Sequence, residues 1–286
     1  MTVLQALLDG VLVGGVYAVI SIGLTLVFGV MGIVNFAHAQ FLMIGMFVAW
    51  FAWAHLGLDP LLSAPLAFAV TFALAAAIER VMIRRVLRAP AVAQVFLTVG
   101  LLIALENVAL ILFGSGYRSV RTSYQTASLR LGPLFVSVPY LAAFALSAAI
   151  AAALWLFLAR SWTGRAMRAT AQDRMAAALF GVDAERMFQV AFALGAALTA
   201  FGGAVILPYI TVSPSIGAQF VVLMFTVVVL GGLGDVGGAL VGGVAVGVIQ
   251  SISTLLFPIQ LQNLVLFVVF LAVLAFRPEG LVKGAA

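Results

Sequence analysis

RSWTGRAMRATAQDRMAAALFGVDAER, residues 160–186, is the longest polar passage in a chain of 286 residues that otherwise reads as lipid-soluble. It holds five of the 14 basic and three of the nine acidic residues. The apolar runs on either side are long enough to cross a bilayer, which takes about 20 helical residues. The passage therefore lies in water or at the membrane face, and the spans on both sides can be counted from it.

The chain is 65% hydrophobic and 8% charged, where a soluble domain carries about 25% charged residues. That makes it an integral membrane protein. Alternating strands of about ten residues, the mark of a membrane β-barrel, are missing, so the expected class is all-α. The net charge is 14 − 9 = +5, but the basic residues sit in short clusters between apolar spans. They read as orientation signals facing the lipid bilayer, with no nucleic acid implied. The absence of cysteine excludes a disulfide framework, a thiol nucleophile and a cysteine metal site, and His38 and His55 are too few and too far apart for a metal centre. With Asp9 and no basic leading segment, the N-terminus does not read as a cleavable signal.

Nine spans follow in order: about Leu8 to Gly29, a second to about Trp53, a third ending in ERVMIRRVLRAP, then Ala91–Phe113, Ser137–Ala159, Met187–Pro208, Gly217–Leu233, Gly237–Leu256 and Ile259–Phe276. The expected fold is a polytopic helical bundle of about eight to nine transmembrane helices. Arg80 to Arg88, Arg160 to Arg186, and Arg277 with Lys283 are separated by even numbers of spans, so 11 of the 14 basic residues share one side, the cytoplasm. The N-terminus is then outside and the C-terminus inside. Arg118, Arg121 and Arg130 fall on an outer loop, as solvated charge or as a docking face for an extracytoplasmic partner.

Ala39-Gln40-Phe41 recurs as Ala218-Gln219-Phe220, an offset of 219 − 40 = 179 that also carries the first span onto the sixth. Five spans apart, the two would insert in opposite orientations. The expectation is one transmembrane domain, 1–286, with inverted-repeat halves: a first repeat at about 8–113, a linking span at 137–159, a cytoplasmic segment at 160–186 and a second repeat at about 187–276. Such repeats place a substrate path at their interface near the midplane.

Asn35, His38 and Gln40 interrupt a Gly-broken span junction, and Thr98, Glu106 and Asn107 lie within the fourth span. An ionisable group at that depth costs about 2.5–3.5 kcal/mol on insertion scales. These six are candidate pathway residues; the competing reading is inter-helical hydrogen bonding that fixes packing, and for Glu106 a proton relay. GGLGDVGGALVGG, 231–243, contains GxGxxG but lacks a βαβ setting, so it reads as a tight turn and a close-packed helix face with Asp235 as a cap. No phosphate-binding GxxxxGK[ST], HExxH or GxSxG occurs. The chain is thus no enzyme and holds no cofactor or metal; ATP, if used, is bound by another subunit. Within 160–186, Met167, Ala171, Met175, Ala178, Leu179 and Val182 recur at helical steps, predicting one short amphipathic helix from Gly164 that Gly181 ends and Asp183 follows as a cap. It could rest on lipid headgroups, yet its small-residue centre suits a groove in a cytoplasmic protein.

GIVNFAHAQFLMIG (32–45), GRAMRATAQDRMAAALFGVD (164–183), GGLGDVGGALVGG (231–243) and FRPEGL (276–281) together resemble the permease subunits of branched-chain amino acid (LIV-type) ABC importers, over essentially the whole chain. The resemblance implies that 164–183 is the segment coupling to the ATPase, at Gly164, Arg168, Ala171, Gln172, Asp173, Ala177 and Gly181. It also implies two ATPase subunits carrying ATP-Mg, a second, different permease and an extracytoplasmic solute-binding protein, in a bacterial inner membrane. Glu106 stands where the family more usually has a neutral amide, and Ala39-Gln40 where a Gly-acidic pair is commoner. Uptake of urea, short amides or another small polar metabolite therefore stays open, as does a proton-coupled secondary transporter or channel.

Overall fold

The computed structural model describes residues 2–277 and 280. Its helices are α1 (Thr2–Met31), α2 (His38–Leu56), α3 (Ala64–Ile78) running through a π-turn at Glu79–Ile83 into α4 (Arg84–Val86), α5 (Ala91–Phe113), α6 (Val138–Arg160), α7 (Trp162–Gln172), α8 (Arg174–Leu179), α9 (Ala184–Ile206), α10 (Ile216–Gly231), α11 (Val236–Leu256) and α12 (Gln262–Phe276). Among the described residues seven helices are long and apolar enough to span a membrane, counting α3 to α4 as one, and α10 and α12 are shorter apolar helices. The nine together match the nine spans read from the sequence. One element departs from all-α: β1 (Ser128–Leu131) and β2 (Leu134–Ser137) form a hairpin. Gly132, at φ +61°, makes its turn with Pro133. Lys283, and Pro278, Glu279 and Leu281 of the FRPEGL ending, lie outside the described residues.

The bundle has two polar ends. At the hairpin end, Gln5 donates to Phe135 O at 2.7 Å and accepts from its N–H at 3.0 Å, tying α1 to β2. There the Tyr124 hydroxyl donates to Asp59 at 2.8 Å, joining the two loops. Two of the three arginines at this end are engaged within the chain. Arg118 stacks on Trp50 at 4.3 Å while its backbone pairs with Val212, and Arg130 lies over Phe135 at 5.7 Å. The opposite, basic end carries α4, α7 and α8.

Two inverted halves organise the core. α1 packs on α10 and α11, α9 packs on α2 and α3, and α2–α3 and α10–α11 are neighbours in their own halves. Exchanging α1–α2–α3 with α9–α10–α11 reproduces each of these pairings. The register agrees with the 179-residue offset. Thr199 donates to the carbonyl of Ile20 at 2.8 Å, and 20 + 179 = 199, so a residue touches its own mate, as happens only on the pseudo-two-fold axis. A Cβ on Gly23 would lie 2.6 Å from Thr199 Oγ1, and one on Gly202 would lie 2.5 Å from Ile20 Cγ1; these two contacts are each other's image. α1 and α9 cross antiparallel with almost no side-chain spacer, the small-residue packing by which helices associate in lipid. The same device joins α1 to α11, where a Cβ on Gly14 would meet Val244 Cα at 2.7 Å. Outside this core, Phe96, Ile111 and Leu112 of α5 are exposed, as a lipid-facing or partner-covered surface requires.

Candidate translocation core and coupling surface

α1 ends at Met31 because Gly32 turns the chain at φ +68°. The next stretch, 33–37, runs without regular structure inside the bundle, where Ile33, Asn35 and Ala37 are buried. Irregular backbone at membrane depth is tolerated only when protein or water surrounds it. Asn35 Oδ1 accepts from Ala37 N at 3.1 Å, but its amide nitrogen has no partner. His38 opens α2 with Nε2 2.9 Å from Thr199 Oγ1. The Thr199 proton is committed to Ile20 O, so Nε2 must carry a hydrogen and donate it. Nδ1 is left buried and unpaired.

Gln40 is fully buried and neither atom of its amide is hydrogen-bonded. It lies against Gly217 in the first turn of α10, where a Cβ would collide with Oε1. Thr98 of α5 completes the group, its hydroxyl donating to Val95 O at 3.0 Å and approaching Val34 O at 3.5 Å. Four buried polar atoms without partners thus fall within six residues, each costing about 1–3 kcal/mol of desolvation. Such a concentration of unpaired polar atoms is unusual in a packed interior, where most buried polar groups are hydrogen-bonded.

The other two pathway candidates stand apart. Asn107 is exposed on α5 and donates to Ile103 O of its own helix at 2.8 Å, and Glu106 is half-buried beside it. The structure brings together Asn35, His38, Gln40 and Thr98, and adds Thr199. A neutral threonine in an apolar helix gives no signal in sequence beyond its place on the repeat offset.

At the basic end, Ser161 caps α7 by accepting from Gly164 N at 2.9 Å. Gly164 lets α7 lie on the end of α6, with Leu158 Cα 2.6 Å from where a Cβ would be. Met167 plugs a cluster of Leu26, Val30, Met187 and Phe188. The single helix expected across 164–181 is two. Asp173 takes an extended conformation, φ −150° and ψ 106°, and its carboxylate accepts from Met175 N at 2.8 Å and Ala176 N at 2.9 Å, ending α7 and starting α8. Side-chain capping outcompetes helix continuation here. The apolar stripe is consequently split: Met167 stays inside, whereas Met175, Leu179 and Phe180 are 78%, 84% and 90% exposed. Of the seven coupling candidates, Arg168, Ala171, Gln172, Asp173 and Gly181 are exposed, and Gly164 and Ala177 are buried structural positions. Gly181, at φ +78°, turns the chain toward α9, and Asp183 caps that helix by accepting from Arg186 N at 3.1 Å.

α9 is wired to the neighbouring helix by a charge network that sequence reading passed over. Glu79, its side chain fully buried, pairs with Arg84 at 3.3 Å; Glu185 reaches Arg84 at 3.8 Å and Arg88 at 3.5 Å. Residues 79 and 84 are five apart, a spacing that faces one way only on a π-turn. A cavity of about 430 Å3 lies between α7 and the 231–236 turn, lined by Met167, Arg168, Ala171, Gly234 and Asp235. Asp235 caps α11 by accepting from Gly237 N at 2.9 Å, so the glycine-rich motif serves as turn and packing face.

Residues 6–274 match the family described as "Branched-chain amino acid transport system / permease component". A high-affinity branched-chain amino acid transport system permease protein, BraD of Pseudomonas aeruginosa, is 33% identical over 291 residues, covering 97% of this chain and 95% of its own. LivH of Escherichia coli, of the same description, is 30% identical over 97% of this chain and 94% of its own. A probable branched-chain amino acid transport permease protein LivH of Methanocaldococcus jannaschii is 25% identical over 87% of this chain and 81% of its own. No solved structure gives a significant match. The chain belongs to the branched-chain amino acid transport permease family.

Proposed function

We propose that this chain is the membrane-spanning permease subunit of an ATP-driven ABC importer for branched-chain or related hydrophobic amino acids. It works in a bacterial inner membrane with its N-terminus outside and its basic end in the cytoplasm. A soluble binding protein delivers the amino acid, a second, homologous permease completes the path, and two ATPase subunits bind ATP-Mg. The polar group at Asn35, His38, Gln40 and Thr98 lines the path at the crossing of the halves, with Glu106 and Asn107 facing the partner permease. Residues 164–181 carry the ATPase stroke.

The observation that carries this reading, beside the family, is the tip of α8. Met175, Leu179 and Phe180 project from a capped segment of small residues that lies outside the apolar spans. Exposed apolar clusters rimmed by charge, here Arg174 and Asp173, mark docking sites. Behind them α7 and α8 are fastened to α1, α6 and α9, so a push on the tip reaches the helices that cross at Thr199.

Uptake of radiolabelled leucine into proteoliposomes holding the complex as purified from its native membrane tests the proposal. ATP-dependent uptake abolished by Asp173→Arg or Gly181→Trp, with the protein still inserted, is expected. Uptake by this chain alone under a proton gradient, abolished by Glu106→Gln, would instead establish a secondary transporter.

A further inference from the structure

At the hairpin end, between α1, α6, α11 and α12, lies a polar recess that none of the sites above uses. A cavity of about 270 Å3 is lined by Asp9, Tyr17, Tyr140, Gln250, Ser251 and Gln262. A second, of about 320 Å3, adjoins it through Asp9, Ser251 and Thr254 and reaches the hairpin at Phe135. Small-ligand pockets start at about this size.

The recess is chemically one-sided. Asp9 accepts from Gln5 Nε2 at 3.1 Å on both carboxylate oxygens, and among the described residues no ion pair involves it. The rest of the lining is neutral: amides, hydroxyls and two phenol rings. A half-buried carboxylate near the end of an apolar span is disfavoured, and among the described residues no basic side chain pairs with it. Metal coordination does not account for it, since among the described residues no cluster of three His, Cys, Asp or Glu exists. An organic ammonium group fits all the walls: three N–H donors for the carboxylate, amide and hydroxyl oxygens, and positive charge beside aromatic rings.

The floor of the recess leads inward. The Tyr17 ring meets Phe220 edge-on at 6.4 Å, and Phe220 is one turn along α10 from Gly217, which lies against Gln40. Tyr140 in turn packs edge-on against Tyr209 at 4.7 Å. One layer of aromatic side chains therefore separates the recess from the polar core.

We propose that this recess is the receiving site for the amino acid released at the outer face, with Asp9 holding its α-ammonium group before the Tyr17–Phe220 layer opens. The inference rests on the importer reading and deepens it. Asp9→Asn keeps the shape and the hydrogen bond to Gln5 but removes the charge. Thr254→Lys, at an exposed rim position, places a competing ammonium beside Asp9. In the full complex in proteoliposomes, each variant is expected to lower the initial rate of leucine uptake at least about tenfold, the scale of losing one partner of a desolvated charge pair. ATP hydrolysis stimulated by the loaded binding protein is expected to stay near the wild-type rate, because coupling at α7 and α8 is untouched. Asp9→Glu is expected to restore part of the uptake. Wild-type uptake by both Asp9→Asn and Thr254→Lys would overturn the receiving site alone. No ATP-dependent leucine uptake by the wild-type complex would overturn the importer reading and the site with it.

Discussion

Replacing Phe180 with alanine separates a docking tip from a packing residue. The side chain is 90% exposed, so truncation removes almost no contact within the chain, and folding stability should change by no more than about 0.5 kcal/mol. If the tip enters a groove of the ATPase, the side chain loses nearly all of its water on binding. Burying a large apolar side chain is worth about 1.5–3 kcal/mol. Alanine keeps only one methyl group of that, so the loss is about 2 kcal/mol, or roughly thirtyfold in dissociation constant. Met175→Ala and Leu179→Ala, at 78% and 84% exposure, should follow with somewhat smaller losses, and the triple variant should lose less than the sum because neighbours in one groove couple. The assay is ATPase binding to the permease in nanodiscs, with thermal unfolding measured in parallel. Wild-type affinity in Phe180→Ala would refute the reasoning, as would a lowered unfolding temperature. An α8 that merely rests on headgroups predicts unchanged ATPase affinity and weaker contact with lipid.

Two further substitutions probe the scaffold. Gly23→Ala puts a methyl 2.6 Å from Thr199 Oγ1 at the crossing of the halves, where backbone on both sides cannot yield; it should destabilise by about 2–3 kcal/mol in thermal unfolding, whereas Gly100→Ala, with nothing within 4 Å, should be silent. Glu79→Gln keeps the shape of a fully buried side chain but removes its charge; because Arg84 is 30% exposed and keeps Glu185 as a partner, the melting curve should move by less than about 1 kcal/mol, and a loss of several kcal/mol would show that the buried pair holds the network together.

What could be read in advance was whatever is local or periodic. Apolar runs gave the spans, Gly181, Asp183 and Asp235 gave their terminations, and the recurrent Ala-Gln-Phe gave an offset that the Ile20–Thr199 contact then realises. Asp173 was ambiguous in principle, because a surface aspartate within a helix and an N-cap between two helices obey the same polar pattern. The helical steps continue through it, and only the extended backbone sends Met175 and Leu179 outward. The Glu79–Arg84 pair was hidden by its i,i+5 spacing, which has no place on an α-helix face. The β1–β2 hairpin was not foreseen, although Gly132-Pro133 stands as a turn signal between its two short apolar runs. Glu106 and Asn107 could be placed at mid-span but not on a face, because which side of α5 meets the bundle is decided by the packing of the whole.

The inverted repeat accounts for the helix pairings, and it breaks down at the buried polar group. Carried through the offset of 179, Asn35 maps to Pro214, His38 to Gly217, and Gln40 to Gln219. The first half thus supplies the polar side chains, while the second supplies a glycine that makes room for Gln40 and a helix start that faces it. Gln219, the one retained among these three polar side chains, is exposed. Packing alone would favour apolar residues at Asn35 and Gln40, as it does around them, since each unpaired atom costs about 1–3 kcal/mol. The cost sits beside the axis, where α1 and α9 cross through glycine and the hydroxyl of Thr199 joins His38 to the backbone of Ile20. On the importer reading proposed above, the polar groups beside that axis line the path between the hairpin end and the basic end.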